Sequence, residues 1–189
     1  MIRKVGVALI VAAALLAPAG VGNSPVSAVG GCANGICETW TRPFSGGSIV
    51  GVGTDALGNV YVGGAHSNWD YGTIKYDPEG VEEWARYYDS GSQQVADVPT
   101  AFAVDSTGSS YVTGLTGAGG VATVKYDSAG IEQWVAVDAS GSFTFYCAYY
   151  YPPNLAFDSY GAAYVGFCDW VWKYASDGEL QWKKRFDTT

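Results

Sequence analysis

The sequence predicts an all-β fold of stacked, four-stranded antiparallel units, and three observations carry that prediction. One phrase occurs three times: Asp55-Ala-Leu-Gly58-Asn-Val-Tyr61-Val62, Asp105-Ser-Thr-Gly108-Ser-Ser-Tyr111-Val112 and Asp158-Ser-Tyr-Gly161-Ala-Ala-Tyr164-Val165. A second phrase follows each: Thr73-Ile74-Lys75-Tyr76-Asp77 with Gly80 and Trp84, Thr123-Val124-Lys125-Tyr126-Asp127 with Gly130 and Trp134, and Trp172-Lys173-Tyr174 with Gly178 and Trp182. The repeated aspartates stand 50 and 53 residues apart, a period that marks stacked repeats. The runs between them are short, rich in aromatic and β-branched residues, and bounded by turns carrying glycine, which is the pattern of strands.

The chain opens on Arg3 and Lys4, an apolar run from Val5 to Ala17, and a small-residue region ending Val26-Ser27-Ala28. That layout predicts a secretory signal peptide over residues 1–28 and a secreted, periplasmic or cell-surface protein. The apolar run is short for a bilayer span, so no membrane span is expected after cleavage; an uncleaved anchor is the alternative. Val29-Gly30-Gly31-Cys32 has the look of a lipidation box but lies well beyond the apolar run, leaving lipidation at Cys32 open. Residues 29–35 read as a linker.

Removing 28 residues from 189 leaves 161, enough for one domain with a core. The removed piece carries two positive charges, which takes the net charge from −8 to −10. An acidic surface of this size argues against nucleic acid and anionic membrane as partners.

Residues 36–189 form the repeat domain. Ile36-Cys37-Glu38-Thr39-Trp40-Thr41-Arg42-Pro43-Phe44 is similar to Glu82–Tyr88, so residues 36–44 read as the outer strand of an incomplete unit. Complete units follow at 48–89, 98–139 and 154–187. In the second, strands are expected at Ala101–Val104, Ser110–Gly114, Val121–Tyr126 and Ile131–Val137. The Asp-x-x-Gly phrases are hairpin turns: aspartate caps the turn with its side chain and glycine takes the left-handed conformation. Calcium binding is the sharper reading, but each loop offers only one or two oxygen side chains, where a calcium loop supplies several. Four strands with bulky residues on both faces suit a blade buried between neighbours, as in a β-propeller. Tyr61, Tyr111 and Tyr164 fill one slot of the repeat and Trp84, Trp134 and Trp182 another, as packing between blades demands. Lys75, Lys125 and Lys173 recur as well, and pairing with a nearby carboxylate is favoured over ligand binding.

The pattern D-x-x-G-x-x-Y-V, then K-Y, then G-x-x-x-W, resembles the bacterial seven-bladed β-propeller repeat. It is distantly similar to quinoprotein-type blades, from which no cofactor residue carries over. The resemblance covers residues 36–189 and implies a scaffold on which many activities are built. A ring needs at least about four blades. Three blades plus one strand therefore imply a partial or truncated propeller, or a ring completed by another chain, with open edges that must be covered.

In such blades the repeated turns lie on one rim, and the second-to-third-strand and blade-to-blade connections lie on the other. All irregular sequence falls on that other rim, which is where binding is expected. Its aromatic residues include Trp69, Tyr71, Tyr149, Tyr150, Tyr151 and Trp170, with Asp70, Asp89 and Asp169 beside them. Rings to stack on and carboxylates for hydroxyls suit a polysaccharide; the alternative is that the rings fold over their own apolar cluster. Cys147 and Cys168 fall on this rim within one blade, so two disulfides are expected, Cys147–Cys168 and Cys32–Cys37.

No catalytic residue, metal site or cofactor is expected. His66 lies next to Ser67 and near Asp70, but a Ser-His-Asp mechanism needs a geometry that adjacency does not provide. There is no Cys-x-x-Cys or Cys/His cluster for zinc. The expectation is a secreted, non-catalytic binding or structural protein whose partner is a polysaccharide, another protein, or a propeller segment at the open blade edges. The alternative is a fragment of an exported propeller enzyme of the lyase or quinoprotein kind.

Overall fold

The computed structural model describes residues 32–33, 36–37, 40–44, 47–66, 69–91, 95–140, 143 and 154–186. The expected signal peptide, Cys147 and Tyr149, Tyr150 and Tyr151 lie outside these residues. All described elements are strands. A two-stranded hairpin, β1 (Cys32–Ala33) and β2 (Ile36–Cys37), comes first. Three four-stranded antiparallel sheets follow in chain order. Blade 1 is β3 (Ile49–Thr54), β4 (Val60–Ala65), β5 (Tyr71–Tyr76) and β6 (Glu82–Tyr88). Blade 2 is β7 (Val98–Val104), β8 (Ser110–Leu115), β9 (Val121–Tyr126) and β10 (Glu132–Asp138). Blade 3 is β11 (Asn154–Phe157), β12 (Ala163–Phe167), β13 (Trp170–Tyr174) and β14 (Leu180–Arg185).

A single carboxylate builds each repeated phrase. Asp55 Oδ1 accepts the backbone N–H groups of Leu57 (2.9 Å) and Asn59 (3.0 Å), which closes the turn from β3 to β4. Its other oxygen, Oδ2, accepts the Tyr61 hydroxyl at 3.1 Å. Asp105 holds Tyr111 in the same way at 3.0 Å, and Asp158 holds Tyr164 at 3.1 Å. Gly58, Gly108 and Gly161 take φ of 84°, 80° and 79°, which a side chain would resist. The phrase is thus one hydrogen-bonded circuit: the aspartate that opens the turn also fixes the tyrosine ring near the start of the next strand.

Each blade has two unlike faces. Its back presents the tyrosine, the lysine opposite it, and the tryptophan opposite the lysine, as in Tyr61, Lys75 and Trp84. Its front presents the tyrosine ending the third strand and the glycine of the turn that follows. Backs dock onto fronts. Trp84 covers Gly130, where an added Cβ would come within 2.7 Å of the indole. Trp84 Nε1 donates to Ser128 O at 3.2 Å and Lys75 Nζ to the same oxygen at 3.1 Å. Trp134 covers Gly178, with Trp134 Nε1 and Lys125 Nζ both donating to Ser176 O. The lysines thus bind a carbonyl of the next blade, and Lys75 adds the expected carboxylate partner, Glu83, at 2.7 Å.

Trp40 repeats this geometry on the front of blade 1. Its ring covers Gly80 and lies 5.8 Å from that of Tyr76, and its Nε1 donates to Pro78 O at 3.1 Å. Arg42 Nε donates to Gly80 O at 2.7 Å, as Arg86 Nε does to Gly130 O at 2.6 Å. Residues 40–44 therefore pack as the outer strand of a preceding blade. The expected single strand over 36–44 is divided, because Ile36–Cys37 pairs with Cys32–Ala33, with Cys32 opposite Cys37.

The interiors of the blades differ at one point. In blade 2, Thr113 stands opposite Thr123, and their buried hydroxyls bond at 2.9 Å. In blade 1 the place of Thr113 is taken by Gly63, and the Phe102 ring of the next blade fills the space a side chain would need. Thr73, opposite Gly63, is left with a buried hydroxyl that has no partner. Aromatic packing has replaced a hydrogen bond here, and the orphaned hydroxyl carries a desolvation cost of about 1–3 kcal/mol.

Candidate functional site

The irregular rim gathers residues from both kinds of connection. Between blades 1 and 2, ligand-capable oxygens of Asp70, Asp89 and Asp97 lie within 4.8 Å of one another. Asp97 is buried. Its Oδ2 accepts Ser90 N at 2.6 Å, and its Oδ1 accepts Ser90 Oγ at 2.6 Å and Gly117 N at 2.7 Å. It therefore latches the connection between blades 1 and 2 to the loop joining β8 and β9. Asp89 Oδ1 accepts Gly91 N at 2.7 Å. Burial, then repulsion from Asp89 and Asp97, pushes the Asp70 carboxyl above its usual range. Three carboxylates are hard donors of the type divalent cations take, but the Asp97 oxygens already accept three hydrogen bonds.

Trp69 sits beside this trio in a tight turn closed by Trp69 N to His66 O and His66 N to Asp70 O, both 2.8 Å. Its φ is 64°, and its side chain is 61% exposed. A left-handed conformation costs a bulky L-residue roughly 1–2 kcal/mol, so the ring is held in solvent by a strained backbone. His66 packs at a tilt against Tyr87 with centroids 4.2 Å apart, placing two more rings at the edge of the same loop.

Tyr71 corrects the sequence expectation. It is 1% exposed, its hydroxyl donates to Leu115 O at 3.1 Å, and it packs against Tyr88. Tyr71 opens β5 facing blade 2, so it joins the core and offers no face to a ligand.

Trp170 is half-buried. The Lys183 ammonium lies 4.2 Å from its ring centroid and also faces Phe143 and Trp172. Asp138, at the end of blade 2, pairs with Lys183 Nζ at 2.7 Å and accepts Trp172 Nε1 at 2.6 Å. Against the opposing effect of burial, the Lys183, Ser140 and Trp172 hydrogen bonds hold the Asp138 carboxyl well below its ordinary range. Lys183 is thus enclosed by rings and bound to a carboxylate of the neighbouring blade. Asp169 pairs with Arg185 at 2.6 Å, and Cys168 takes φ 57°.

The structure therefore brings Trp69, Asp70 and Asp89 together, sends Tyr71 into the core and gives Trp170 a packing role. Asp97 was not singled out by sequence. Its signal is a carboxylate immediately before the first strand of a blade, seven residues after Ser90, where the other blades carry no such pair.

No protein-family model matches this chain, and no curated protein matches it. Among solved structures it is similar to the crystal structure of a protein of unknown function from Bacteroides caccae. That likeness has a TM-score of 0.53 at 13% identity and covers 79% of this chain and 50% of the other. The chain thus spans half the length of that structure, and the likeness concerns fold alone.

Proposed function

We propose that this chain is an exported, non-catalytic blade scaffold that binds a polyhydroxylated ligand, a polysaccharide foremost, on the rim between blades 1 and 2. The observation that carries the reading is Trp69, an exposed indole held outward by a left-handed backbone next to the Asp70 and Asp89 carboxylates. An aromatic face stacks on the apolar face of a sugar ring, and carboxylates accept from its hydroxyls. Export rests on the layout of residues 1–28, and in an exported chain Cys168 is expected to form a disulfide. Its partner in this reading is Cys147. The register that sets Cys32 opposite Cys37 favours the second pair, since opposed residues of antiparallel strands lie within the Cα separation a disulfide spans. The resemblance to the seven-bladed repeat supports the role of scaffold.

A glycan array followed by calorimetry tests the proposal. The wild type should bind an extended polysaccharide, and Trp69→Ala should weaken binding about tenfold to a hundredfold, as expected for one stacked ring, without lowering Tm. Absence of glycan binding by the wild type rejects the ligand class. Unchanged affinity in Trp69→Ala moves the site elsewhere on the protein.

A further inference from the structure

The front of every described blade is covered: Gly80 by Trp40, Gly130 by Trp84 and Gly178 by Trp134. The back of blade 3 carries the same groups in the same register, with Tyr164 opposite Lys173 and Lys173 opposite Trp182. Their surroundings differ. Tyr61 and Tyr111 are fully buried, whereas Tyr164 is half-buried. Trp84 and Trp134 donate to a turn carbonyl of the next blade; among the described residues Trp182 Nε1 meets no acceptor. Lys75 and Lys125 reach that same carbonyl, while Lys173 turns to Asp158 of its own blade at 3.6 Å.

Two further positions match. Lys184 lies over the Trp182 ring at 5.4 Å, in the slot from which Arg42 and Arg86 donate to glycine carbonyls. Gly166 holds the slot of Gly63, which receives Phe102 from the following blade. At Gly166 the nearest atoms to an added Cβ belong to Asn154 of the same blade, at 3.8 Å.

We infer that the back of blade 3 is a docking face for a further blade of this repeat. The fitting partner ends its third strand in tyrosine, follows it with a glycine turn that Trp182 covers and a carbonyl that Trp182 and Lys173 share, and sets a bulky first-strand residue over Gly166. A second copy of this chain is a poor occupant, because its three fronts are filled by its own Trp40, Trp84 and Trp134. The similar structure from Bacteroides caccae is twice as long as the part this chain matches.

The test extends the full-length protein by a C-terminal copy of its residues 95–140, which bring a Phe102 equivalent and a Tyr126–Gly130 front. Hydrogen exchange of residues 180–185 should slow at least about tenfold relative to the unextended protein. Trp182→Ala, or Gly130→Val in the appended copy alone, should abolish that protection. Trp182→Ala in the unextended protein should lower Tm less than Trp84→Ala does, since among the described residues Trp182 packs on Tyr164 and Lys184 of its own blade while Trp84 also seats on the next blade. Exchange of 180–185 that is unaltered by the extension overturns the inference, whether or not the appended segment is folded. Native mass measurement supplies the second arm: the unextended protein is expected as a monomer. A dimer dissolved by Trp182→Ala assigns the face to a second copy and overturns the inference as well.

Discussion

On the rim of repeated turns, Asp55, Asp105 and Asp158 accept their tyrosine hydroxyls at 3.1, 3.0 and 3.1 Å. On the opposite rim the blades are tied by unlike contacts. Blades 1 and 2 are joined by the buried Asp97 bonded to Ser90 and Gly117, and blades 2 and 3 by Asp138 bonded to Lys183 and Trp172. Contacts recur where each blade must close its own first hairpin and seat its tyrosine, and diverge where the connections tie one blade to the next. The divergent rim is the one free to acquire binding groups, and that is where Trp69 stands.

The largest effect is expected from pairing one glycine of each rim. Gly130 has φ 76° and lies under Trp84, whereas Gly119 has φ 84° and nothing within 4 Å of an added Cβ. Both should lose about 1 kcal/mol on mutation to alanine from backbone strain. Gly130→Ala should lose about 1–3 kcal/mol more, through displacement of the indole. Urea denaturation of the two variants measures the difference. Equal losses would show that the tryptophan seat adds nothing.

Asp138→Asn should have an intermediate effect that depends on pH. The folded state depresses this carboxyl, so its charge stabilises the protein above the ordinary value of 3.8, and that stability disappears as pH falls through the lower folded value. The variant should melt below the wild type at pH 7, with the gap closing as pH is lowered past about 4. A gap that stays constant down to pH 2 would mean that the charge of Asp138 does not hold blades 2 and 3 together.

The smallest effect is expected at Asp70, and with the opposite sign. Its carboxyl is raised by burial and by Asp89 and Asp97. Its charge therefore costs stability near neutrality, a cost relieved as pH falls through the raised folded value. Asp70→Asn should raise Tm at pH 7 by about one degree, solvent screening keeping the effect small. The advantage should fade in acid. A lower Tm at pH 7 would show that the carboxylate is held by partners stronger than the repulsion.

The blades and their tyrosine and tryptophan slots are legible in the sequence because three copies state the same constraint at the same spacing. The double duty of each aspartate is harder to see. Nothing in D-x-x-G-x-x-Y says that one oxygen closes the turn while the other takes a hydroxyl two strand positions on. The site is less legible still. Tyr71 and Trp69 are two residues apart, yet one faces Leu115 in the core and the other solvent; the direction is set by where β5 begins and by the left-handed turn at Trp69. Trp170 looks exposed by its place in a turn, but Lys183 from the next strand covers it. The N-terminal hairpin did have a signal. Asn34-Gly35 between Ala33 and Ile36 is a favoured two-residue connection, masked by the likeness of residues 36–44 to Glu82–Tyr88.

The Phe102 ring seated at Gly63 means that the repeats, though written alike, are not interchangeable cassettes. Transplanting β8 into the position of β4 would carry the Thr113 side chain into the space Phe102 holds. The reverse exchange would strand Thr123 without the hydroxyl it bonds now. Blade order is thus encoded in the interior as well as in the loops, by one residue that must be glycine in the first blade and one that is best as threonine in the second. Any shuffling of these units, in a laboratory or by gene duplication, would have to move Gly63 and Phe102 together.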